Sequence, residues 1–430
     1  MYRHDFPIFR THPDLVFLDS ASSTQKPQRV IDELTRYFST DYANIHRWAY
    51  DLSLASSILY DSAKKAVAKK LHAHSESEIV FTYNATYAFN LLARGFIKSG
   101  FLKKWDIVLL SKAEHHANII PWQIIAEEYG ILIDWVDLHE DGTLDYDSLR
   151  TKLPHVKLLS ITGASNVTGE VLDLERVKEI FEKCDFRTTF VKGGRGDFVS
   201  EKNPQSLRDS SFEKELQKPL FIIDGSQRFP HMETDVVKYG IDFFIATGHK
   251  VMSDTGIGFF YGRKGLLKAM NPAFCGGGAI NSVTLEWYEP AGLPYRHEPG
   301  TPHIAGAVSL LASLDYIDSI GGFEAVERYE KELVEYALDQ FSTLPSSIRL
   351  LGSTQTENRL GVFSFVFDSH HPSDVAEVLA NAGICVRSGH HCTEPLHLTL
   401  GIPASLRASL YLYNTKNDVD RLVEKLREFL

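Results

Sequence analysis

The sequence is poor in cysteine, and the few cysteines that it has are spread along the chain. Its 430 residues contain four, Cys184, Cys275, Cys385 and Cys392, with no Cys-X-X-Cys pair among them. Small folds held together by disulfides have many cysteines in a short chain. The pattern therefore argues against a disulfide framework and is typical of a protein that stays in a reducing compartment.

Long apolar segments and an excess of positive charge are also missing. No apolar stretch approaches the ~20 residues that a membrane-spanning helix needs, and Met1–Pro7 contains no apolar signal region. Lys and Arg total 45 against 56 for Asp and Glu, a formal net charge of −11. Nucleic acids and anionic membranes attract basic surfaces. We therefore expect a cytoplasmic protein with neither a membrane nor a nucleic acid as its main partner.

Strand and helix signals alternate from about Val30 to Gly265. Repeated β-α-β units predict an α/β fold with a mostly parallel sheet and helices on both faces. The alternation lapses over residues 185–218, which we interpret as an insertion. With 43% hydrophobic residues, the chain is long enough for two domains. We predict a large domain over residues 28–300 and a smaller α+β domain formed by residues 1–27 with 301–430.

The regular alternation of strand and helix signals ends after Pro302, where the smaller domain is expected. The pattern predicts a long helix over residues 304–320 and a strand over residues 359–367. The tail over residues 418–430 repeats Val and Leu at helical spacing and predicts a final helix.

Two charged residues follow buried strands in the large domain. Asp224 closes the apolar run 219–223, and Lys250 lies in a small polar turn after the run 241–246. In open α/β sheets, functional groups collect at the carboxyl ends of the strands. A carboxylate there can keep a pyridinium nitrogen protonated, and a lysine can supply an amine to an aldehyde. Together they predict a site for pyridoxal phosphate, although either residue alone is more often a turn former or a surface group.

Other polar residues at strand ends fit a phosphate-bearing cofactor that acts on an amino acid. Asn84-Ala85-Thr86 opens a helix, where free N–H groups favour an anion. Near the other strand ends stand His115, Asn166, Gln227, Thr247 and His249. Each has an ordinary alternative as a cap or loop residue. Their order at successive strand ends makes the joint signal strong.

The segment Cys385-Val-Arg387-Ser-Gly-His390-His391-Cys392 carries a second kind of chemistry. A thiol beside imidazoles can be held partly as thiolate, the reactive form. Arg407, further along, can bind a carboxylate through two hydrogen bonds. Three alternatives stay open: Cys385 is a buried structural thiol, Cys392 is an ordinary loop residue, or His390, His391 and Cys392 bind zinc. Consecutive residues rarely chelate one ion and no second cluster completes such a site, so we expect no metal.

Several longer motifs carry a resemblance to a known family. They include Leu18-Asp-Ser-Ala21, Glu114-His-His-Ala-Asn118, Asp224-Gly-Ser-Gln227, Thr247-Gly-His-Lys250, Glu298-Pro-Gly-Thr-Pro302, Arg387-Ser-Gly-His-His-Cys392 and Arg407-Ala-Ser409. Taken together they resemble the class V aminotransferase-fold enzymes, which are pyridoxal phosphate-dependent transferases of fold type I. The short loop before Cys392 is similar to that of the SufS-type (group II) cysteine desulfurases and selenocysteine lyases.

The resemblance implies a role for each residue of the site. Lys250 binds the aldehyde of the cofactor and removes a proton, and Cys392 is the nucleophile. The residues implied to contact the cofactor are Asp224 at the ring nitrogen, Gln227 at the ring hydroxyl, His115 on the ring face, and Ala85, Thr86, Thr247 and His249 at the phosphate. The residues implied to bind the substrate are Asn166, Arg387 and Arg407. Thr301 is similar to a residue that reaches the phosphate of a partner subunit, so the resemblance implies a homodimer.

The implied activity is conversion of L-cysteine to L-alanine, with a persulfide left on Cys392. An acceptor protein of the SufE or SufU kind would then collect the sulfur for iron–sulfur cluster assembly. Two alternatives remain at this stage. One is a selenocysteine lyase or C–S lyase of the same fold, in which Cys392 is dispensable. The other is a non-catalytic or scaffold-like relative, because the usual Gly-Thr-Thr-Glu-Gly phosphate segment reads Asn84-Ala-Thr-Tyr-Ala88. The usual His-Arg-Gly also reads His46-Arg47-Trp48.

Overall fold

The computed structural model describes residues 2–45, 50–184, 186 and 218–429. The predicted insertion at 185–218 therefore lies almost entirely outside the described residues, as does the His46-Arg47-Trp48 departure from the family pattern. The helices are α1 (Ile8–Thr11), α2 (Gln28–Arg36), α3 (Asp51–Lys70), α4 (Ala85–Lys98), α5 (Ile120–Tyr129), α6 (Tyr146–Lys152), α7 (Leu174–Lys183), α8 (Lys264–Ala269), α9 (Ile304–Ser319), α10 (Gly322–Phe341), α11 (Pro372–Asn381), α12 (Glu394–Thr399) and α13 (Lys416–Phe429).

The strands fall into one large sheet, one small sheet and two pairs. They are β1 (Val16–Phe17), β2 (Ile79–Thr82), β3 (Ile107–Ser111), β4 (Leu132–Val136), β5 (Leu158–Thr162), β6 (Leu220–Asp224), β7 (Phe243–Thr247), β8 (Gly258–Gly262), β9 (Ile280–Val283), β10 (Tyr288–Pro290), β11 (Ile348–Leu350), β12 (Val362–Phe367), β13 (Ile384–Cys385), β14 (Arg387–Gly389) and β15 (Ser405–Ser409). The predicted helices at 304–320 and 418–430 correspond to α9 and α13.

The large sheet has seven strands in the order β2-β8-β7-β6-β5-β3-β4. Neighbours from β7 to β4 are parallel, and β8 is antiparallel to both of its neighbours. Side chains alternate along β6: Phe221 and Ile223 pack into one hydrophobic cluster, and Leu220 and Ile222 into the other. Both faces of the sheet are therefore covered, which explains why its central strands read as continuous apolar runs. The predicted α/β fold with a mostly parallel sheet is confirmed.

The small sheet is antiparallel, in the order β11-β12-β15-β14. Its β12 packs against α10, α11 and α13 through a separate cluster that includes Phe363, Val334 and Leu379. The N-terminal segment joins this part because β1 pairs in parallel with β13. The chain thus contains a second, α+β core, while the exact domain boundaries stay a prediction.

None of the described helices is by itself both long and apolar enough to cross a membrane. The consecutive helices α9 and α10 meet the length and composition criteria only as a pair, and that pair is bent by 71°.

A buried ion pair connects α3 to the segment before α9. Lys64 on α3 contacts the Glu298 carboxylate, and their side chains are 1% and 4% exposed. The same carboxylate accepts hydrogen bonds from the Phe81 backbone N–H (2.6 Å) and the Tyr60 hydroxyl (2.8 Å). A buried charge is tolerated when it is paired and its remaining hydrogen-bonding capacity is used. This carboxylate therefore joins β2, α3 and the Glu298–Pro302 segment at one point.

Replacing Glu298 by Gln leaves the Lys64 ammonium charged and buried. We expect Glu298→Gln to lower the free energy of unfolding by about 3 kcal/mol, and the double variant with Lys64→Met to recover part of that loss because both charges are gone. Urea unfolding followed by tryptophan fluorescence measures both. The exposed pair Lys183–Glu179 provides a control, since Lys183→Met should cost less than about 0.5 kcal/mol. Equal losses at the two pairs would contradict this account.

Candidate active site

A cavity of about 200 Å³ lies where the carboxyl ends of the large sheet face the small sheet. The structure brings twelve of the predicted site residues to its walls: Ala85, Thr86, His115, Asn166, Asp224, Gln227, Thr247, His249, Lys250, Arg387, Cys392 and Arg407. Thr301 does not line this cavity, and its side chain is exposed. The residues come from both sheets and from the loops between them, so the cavity exists because the two cores are docked.

Asp224 ends β6 at the floor of the cavity. Its Oδ1 accepts a hydrogen bond from the Ser226 N–H (2.9 Å), and burial raises the pKa of its carboxyl. The chain turns immediately afterwards at Gly225. Only glycine fits there, because a Cβ would lie 2.0 Å from the Phe244 ring. The turn also directs Gln227 to the wall, where its Nε2 donates to the Ala21 carbonyl (2.8 Å). A carboxylate in this position lacks solvent and is available to a buried cation.

Lys250 follows β7 in a single 3-10 turn, Gly248–Lys250. Burial lowers the pKa of its amine to about 8, and the Asp224 carboxylate partly opposes that shift. A substantial share of the amine is therefore neutral near pH 7.5 to 8, unlike an exposed lysine amine. The neutral amine is the form that reacts with an aldehyde or accepts a proton.

His115 lies beside the cavity with its protonation state set by its neighbours. Burial and then the Lys250 charge lower the pKa of its ring to about 3, so the imidazole is neutral at physiological pH. Its Nδ1 accepts the Ala117 N–H (3.1 Å), which leaves the ring proton on Nε2. His115 can therefore donate a hydrogen bond through Nε2.

The end of the cavity near α4 has the character of an anion site. Asn84 caps α4 by accepting the Tyr87 N–H (2.8 Å), and Ala85 and Thr86 form the first turn. The hydroxyl of Thr247 is buried without a hydrogen-bond partner. Free donors at a helix N-terminus and unpaired buried hydroxyls are the groups that bind a phosphate.

Two guanidinium groups lie at the opposite end of the cavity. Arg407 on β15 is 2% exposed, and its Nη2 donates to Ser22 Oγ (2.6 Å) and Asp19 Oδ1 (3.1 Å). Arg387, its partner in the β14–β15 register, donates to the same Ser22 hydroxyl (2.8 Å). The convergence suits a carboxylate ligand. Sequence reasoning missed Ser22 and Asp19 as site residues, although the motif 18–21 contains Asp19 and adjoins Ser22.

Cys392 lies on the loop after β14, with its side chain exposed at the cavity. The imidazole of His390 contacts the Pro403 carbonyl (2.7 Å) and that of His391 contacts the Ser405 carbonyl (3.2 Å), so both rings bind the loop to its surroundings.

Among the residues that the structure describes, no group of three or more His, Cys, Asp and Glu side chains is arranged to hold a metal ion. Cys385 lies apart from the cavity in β13, where burial raises the pKa of its thiol.

A family model, Aminotransferase class-V, matches residues 16–190 and 211–422. The chain belongs to the class V aminotransferase family. The predicted family and its fold type are confirmed by this match and by the sheet topology described above. Assignment to the SufS-type subgroup stays a prediction.

Relatives of this class V aminotransferase family member include cysteine desulfurases. The chain is 35% identical to a probable cysteine desulfurase of Synechocystis sp. over 431 residues, which covers 99% of this chain and 94% of the relative. Among solved structures, the apo cysteine desulfurase of Thermococcus onnurineus NA1 has a TM-score of 0.86 at 30% identity, covering 99% of this chain and 96% of that one. The Escherichia coli cysteine desulfurase CsdA has a TM-score of 0.83 at 30% identity, with 100% and 98% covered.

Class V aminotransferases use pyridoxal phosphate, and the residues present fit that group. The buried unpartnered hydroxyl of Thr247 lies at the anion end. Asp224 and Lys250 supply the carboxylate and amine on which the cofactor depends. The altered segment Asn84–Ala88 keeps the helix N-terminus, because Asn84 caps α4. The cavity thus retains hydrogen-bond donors for a phosphate, although the residues of this segment differ from the family pattern.

The neutral fraction of the Lys250 amine sets the rate at which cofactor-free protein takes up pyridoxal phosphate. We expect this rate constant to rise with pH and level off above about 8, instead of continuing towards 10.5, the value of an ordinary lysine. Stopped-flow absorbance measures it. Asp224→Asn should move the midpoint to lower pH, because the carboxylate favours the charged ammonium. A midpoint near 10.5, or one insensitive to Asp224→Asn, would contradict the buried-amine account.

Proposed function

We propose that this protein is a cysteine desulfurase, which converts L-cysteine to L-alanine and leaves the sulfur as a persulfide on Cys392. One observation carries the proposal: Cys392 shares a single cavity with Lys250, Asp224 and Arg407. The cavity therefore combines a thiol with an amine, a carboxylate and a carboxylate-binding guanidinium. The names of the relatives at 35% identity support cysteine as the substrate.

We assign the cofactor contacts as follows. Asp224 would pair with the ring nitrogen, Gln227 with the ring hydroxyl, and Lys250 with the aldehyde carbon. His115 would lie on the ring face. Ala85, Thr86, Thr247 and His249 would bind the phosphate. When bound, pyridoxal phosphate supplies an electron sink that stabilises negative charge developing on the substrate carbon.

The substrate carboxylate would bind Arg407, assisted by Arg387 and Asn166. Arg407 is held in place by Asp19 and Ser22, so it is oriented before substrate arrives. The Lys250 amine takes the proton from the α-carbon at Nζ, and burial favours its neutral form. His115, with its ring proton on Nε2, is placed to donate a hydrogen bond across the cavity.

Cys392 completes the reaction by attacking the sulfur of the substrate. A sulfur–sulfur bond forms as the carbon–sulfur bond breaks, and the former sulfur-bearing carbon gains a proton to become the methyl group of alanine. The sum is cysteine plus thiol giving alanine plus persulfide. The two sulfurs are oxidised and the carbon is reduced, so no other oxidant or reductant is needed.

Replacing Cys392 by Ala should abolish sulfur addition to the protein while leaving the change in cofactor absorbance on addition of L-cysteine. Mass spectrometry of the loaded protein, with peptide mapping after brief exposure to L-cysteine without reductant, detects one added sulfur atom. Cys275→Ala is the matched control, because Cys275 is also exposed but does not line the cavity, and this variant should gain sulfur normally. Normal alanine production by Cys392→Ala, or turnover of selenocysteine in preference to cysteine, would favour the lyase alternative.

We also infer that an acceptor protein of the SufE or SufU kind takes the sulfur for iron–sulfur cluster assembly in the cytoplasm. The exposed position of the Cys392 side chain supports such a transfer. A persulfide on an exposed loop is accessible to the thiol of a second protein.

A homodimer is the assembly that we propose, with Thr301 of each chain contacting the phosphate held by the other. The exposed position of Thr301 outside its own cavity fits that role. The hairpin β9–β10 also leaves large apolar side chains in solvent: Val283, Leu285 and Trp287 are 67%, 106% and 57% exposed. Apolar groups exposed in this way mark surfaces that bind another protein.

Sedimentation equilibrium of the loaded protein should give twice the chain mass of 48.5 kDa. Thr301→Val should keep that mass and weaken pyridoxal phosphate binding roughly tenfold through the lost hydroxyl donor, whereas Thr301→Ser should bind normally. Equilibrium dialysis measures the affinity. A monomer, or full affinity in Thr301→Val, would contradict the shared phosphate site.

A further inference from the structure

The peptide that carries Cys392 has a strained backbone. His391 and Cys392 are both in the left-handed region, with φ of 53° and 57°. Residues with a Cβ seldom adopt that conformation, and two in succession persist only where the surroundings hold them. The Cys392 side chain is exposed, so packing of the thiol itself does not hold this conformation. The buried His391 ring, which contacts the Ser405 carbonyl, and hydrogen bonds from neighbouring groups hold it instead.

Asn166 and Thr393 supply such bonds on either side of the thiol. Asn166 Nδ2 donates to the His391 carbonyl (2.7 Å), and the Thr393 hydroxyl donates to Asn166 Oδ1 (3.0 Å). Asn166 is 5% exposed and Thr393 is fully buried. We call the Asn166 amide, the His391 carbonyl and the Thr393 hydroxyl the thiol clamp.

The Thr393 hydroxyl decides which way the Asn166 amide faces. An asparagine amide accepts at one end and donates at the other. The hydroxyl lies closer to Asn166 Oδ1 (3.0 Å) than to the His391 carbonyl (3.4 Å), so its proton goes to Oδ1. That bond keeps Oδ1 towards Thr393 and directs Nδ2 at the His391 carbonyl. Without the hydroxyl, Oδ1 loses this donor in a buried setting, which is unfavourable.

The clamp also adjoins the group assigned to the substrate carboxylate. Arg407 Nη1 donates to the backbone carbonyl of Asn166 (3.1 Å). Asn166 thus touches the carboxylate-binding arginine through its main chain and the thiol loop through its side chain. Substrate and thiol are placed relative to the same residue.

We propose, building on the desulfurase function above, that Thr393 is a positioning residue for sulfur transfer. Acting through Asn166, it holds the left-handed His391–Cys392 peptide so that the thiol meets the sulfur of the bound substrate. Its hydroxyl bonds to Asn166 and does not line the cavity. The clamp therefore acts on the rate of sulfur transfer through Asn166, which also assists in binding the substrate carboxylate.

The first test compares Thr393→Val, which keeps the shape but removes the hydroxyl, with Thr393→Ser, which keeps the hydroxyl. Rapid mixing of loaded protein with L-cysteine, followed by quenching and peptide mapping, gives the rate of sulfur addition to Cys392. We expect this rate to fall roughly tenfold in Thr393→Val, as for a lost buried hydrogen bond, and to be retained in Thr393→Ser. The absorbance of the bound pyridoxal phosphate before cysteine is added should be the same in all three proteins, which a general folding defect would not leave intact.

The second test needs no reaction. The N–H groups of His116 and Thr393 donate to the carbonyls of Cys392 (2.7 Å) and His390 (2.8 Å), so their hydrogen exchange reports on the loop. In loaded protein without cysteine, we expect exchange at both to be roughly tenfold faster in Thr393→Val and unchanged in Thr393→Ser. Thr393→Ala serves as a second hydroxyl-free variant in case the added methyl of Val disturbs packing.

The outcomes separate the two proposals. Sulfur addition at the normal rate, or normal exchange, in both hydroxyl-free variants overturns the clamp. An equal loss in Thr393→Ser and Thr393→Val overturns the role of the hydroxyl. If the unsubstituted protein gains no sulfur on Cys392 while exchange still depends on the hydroxyl, the desulfurase assignment fails and the clamp geometry stands.

Discussion

The buried guanidinium of Arg407 is the interaction on which the site depends. It lies on β15 in the small sheet, yet its partners are the Asp19 carboxylate, the Ser22 hydroxyl and the Asn166 carbonyl. A buried charge without partners is strongly unfavourable, so these contacts must form together when the two cores dock. They join the small sheet, the N-terminal segment and the loop after β5. The cavity is what remains between these parts once the arginine is paired.

The sequence predicted the part of the site that lies at strand ends. Asp224 and Lys250 follow continuous apolar runs, and such runs become central strands whose carboxyl ends meet at one edge. The same reasoning located His115 and Asn166 but not what their side chains bond to. Element ends were less accurate: the strand predicted over residues 359–367 begins at Val362, because the preceding backbone pairs instead with the 169–171 segment, where the Leu360 N–H donates to the Gly169 carbonyl (2.8 Å).

The remaining features arise from contacts between residues far apart in the chain, which no local pattern encodes. Ser22 receives hydrogen bonds from residues more than 360 positions away. The direction of the Asn166 amide depends on Thr393, 227 positions later. The imidazoles of His390 and His391 looked like candidate metal ligands, but the carbonyls that they contact belong to the 403–405 segment. The residues at Asn84–Ala88 differ from the family pattern, which suggested a weakened phosphate site. The N-terminus of α4 is nevertheless present there, capped by Asn84.

The pairing of β1 with β13 has a consequence for how the protein is made. The strand at Val16–Phe17 is synthesised hundreds of residues before its partner at Ile384–Cys385. Asp19 likewise cannot pair with Arg407 until that residue has been synthesised. Domains begin to fold during synthesis, starting from the N-terminal side. The large sheet can therefore assemble on the ribosome with the N-terminal segment unpaired, and the cavity of the nascent chain is not complete until Arg407 has been synthesised.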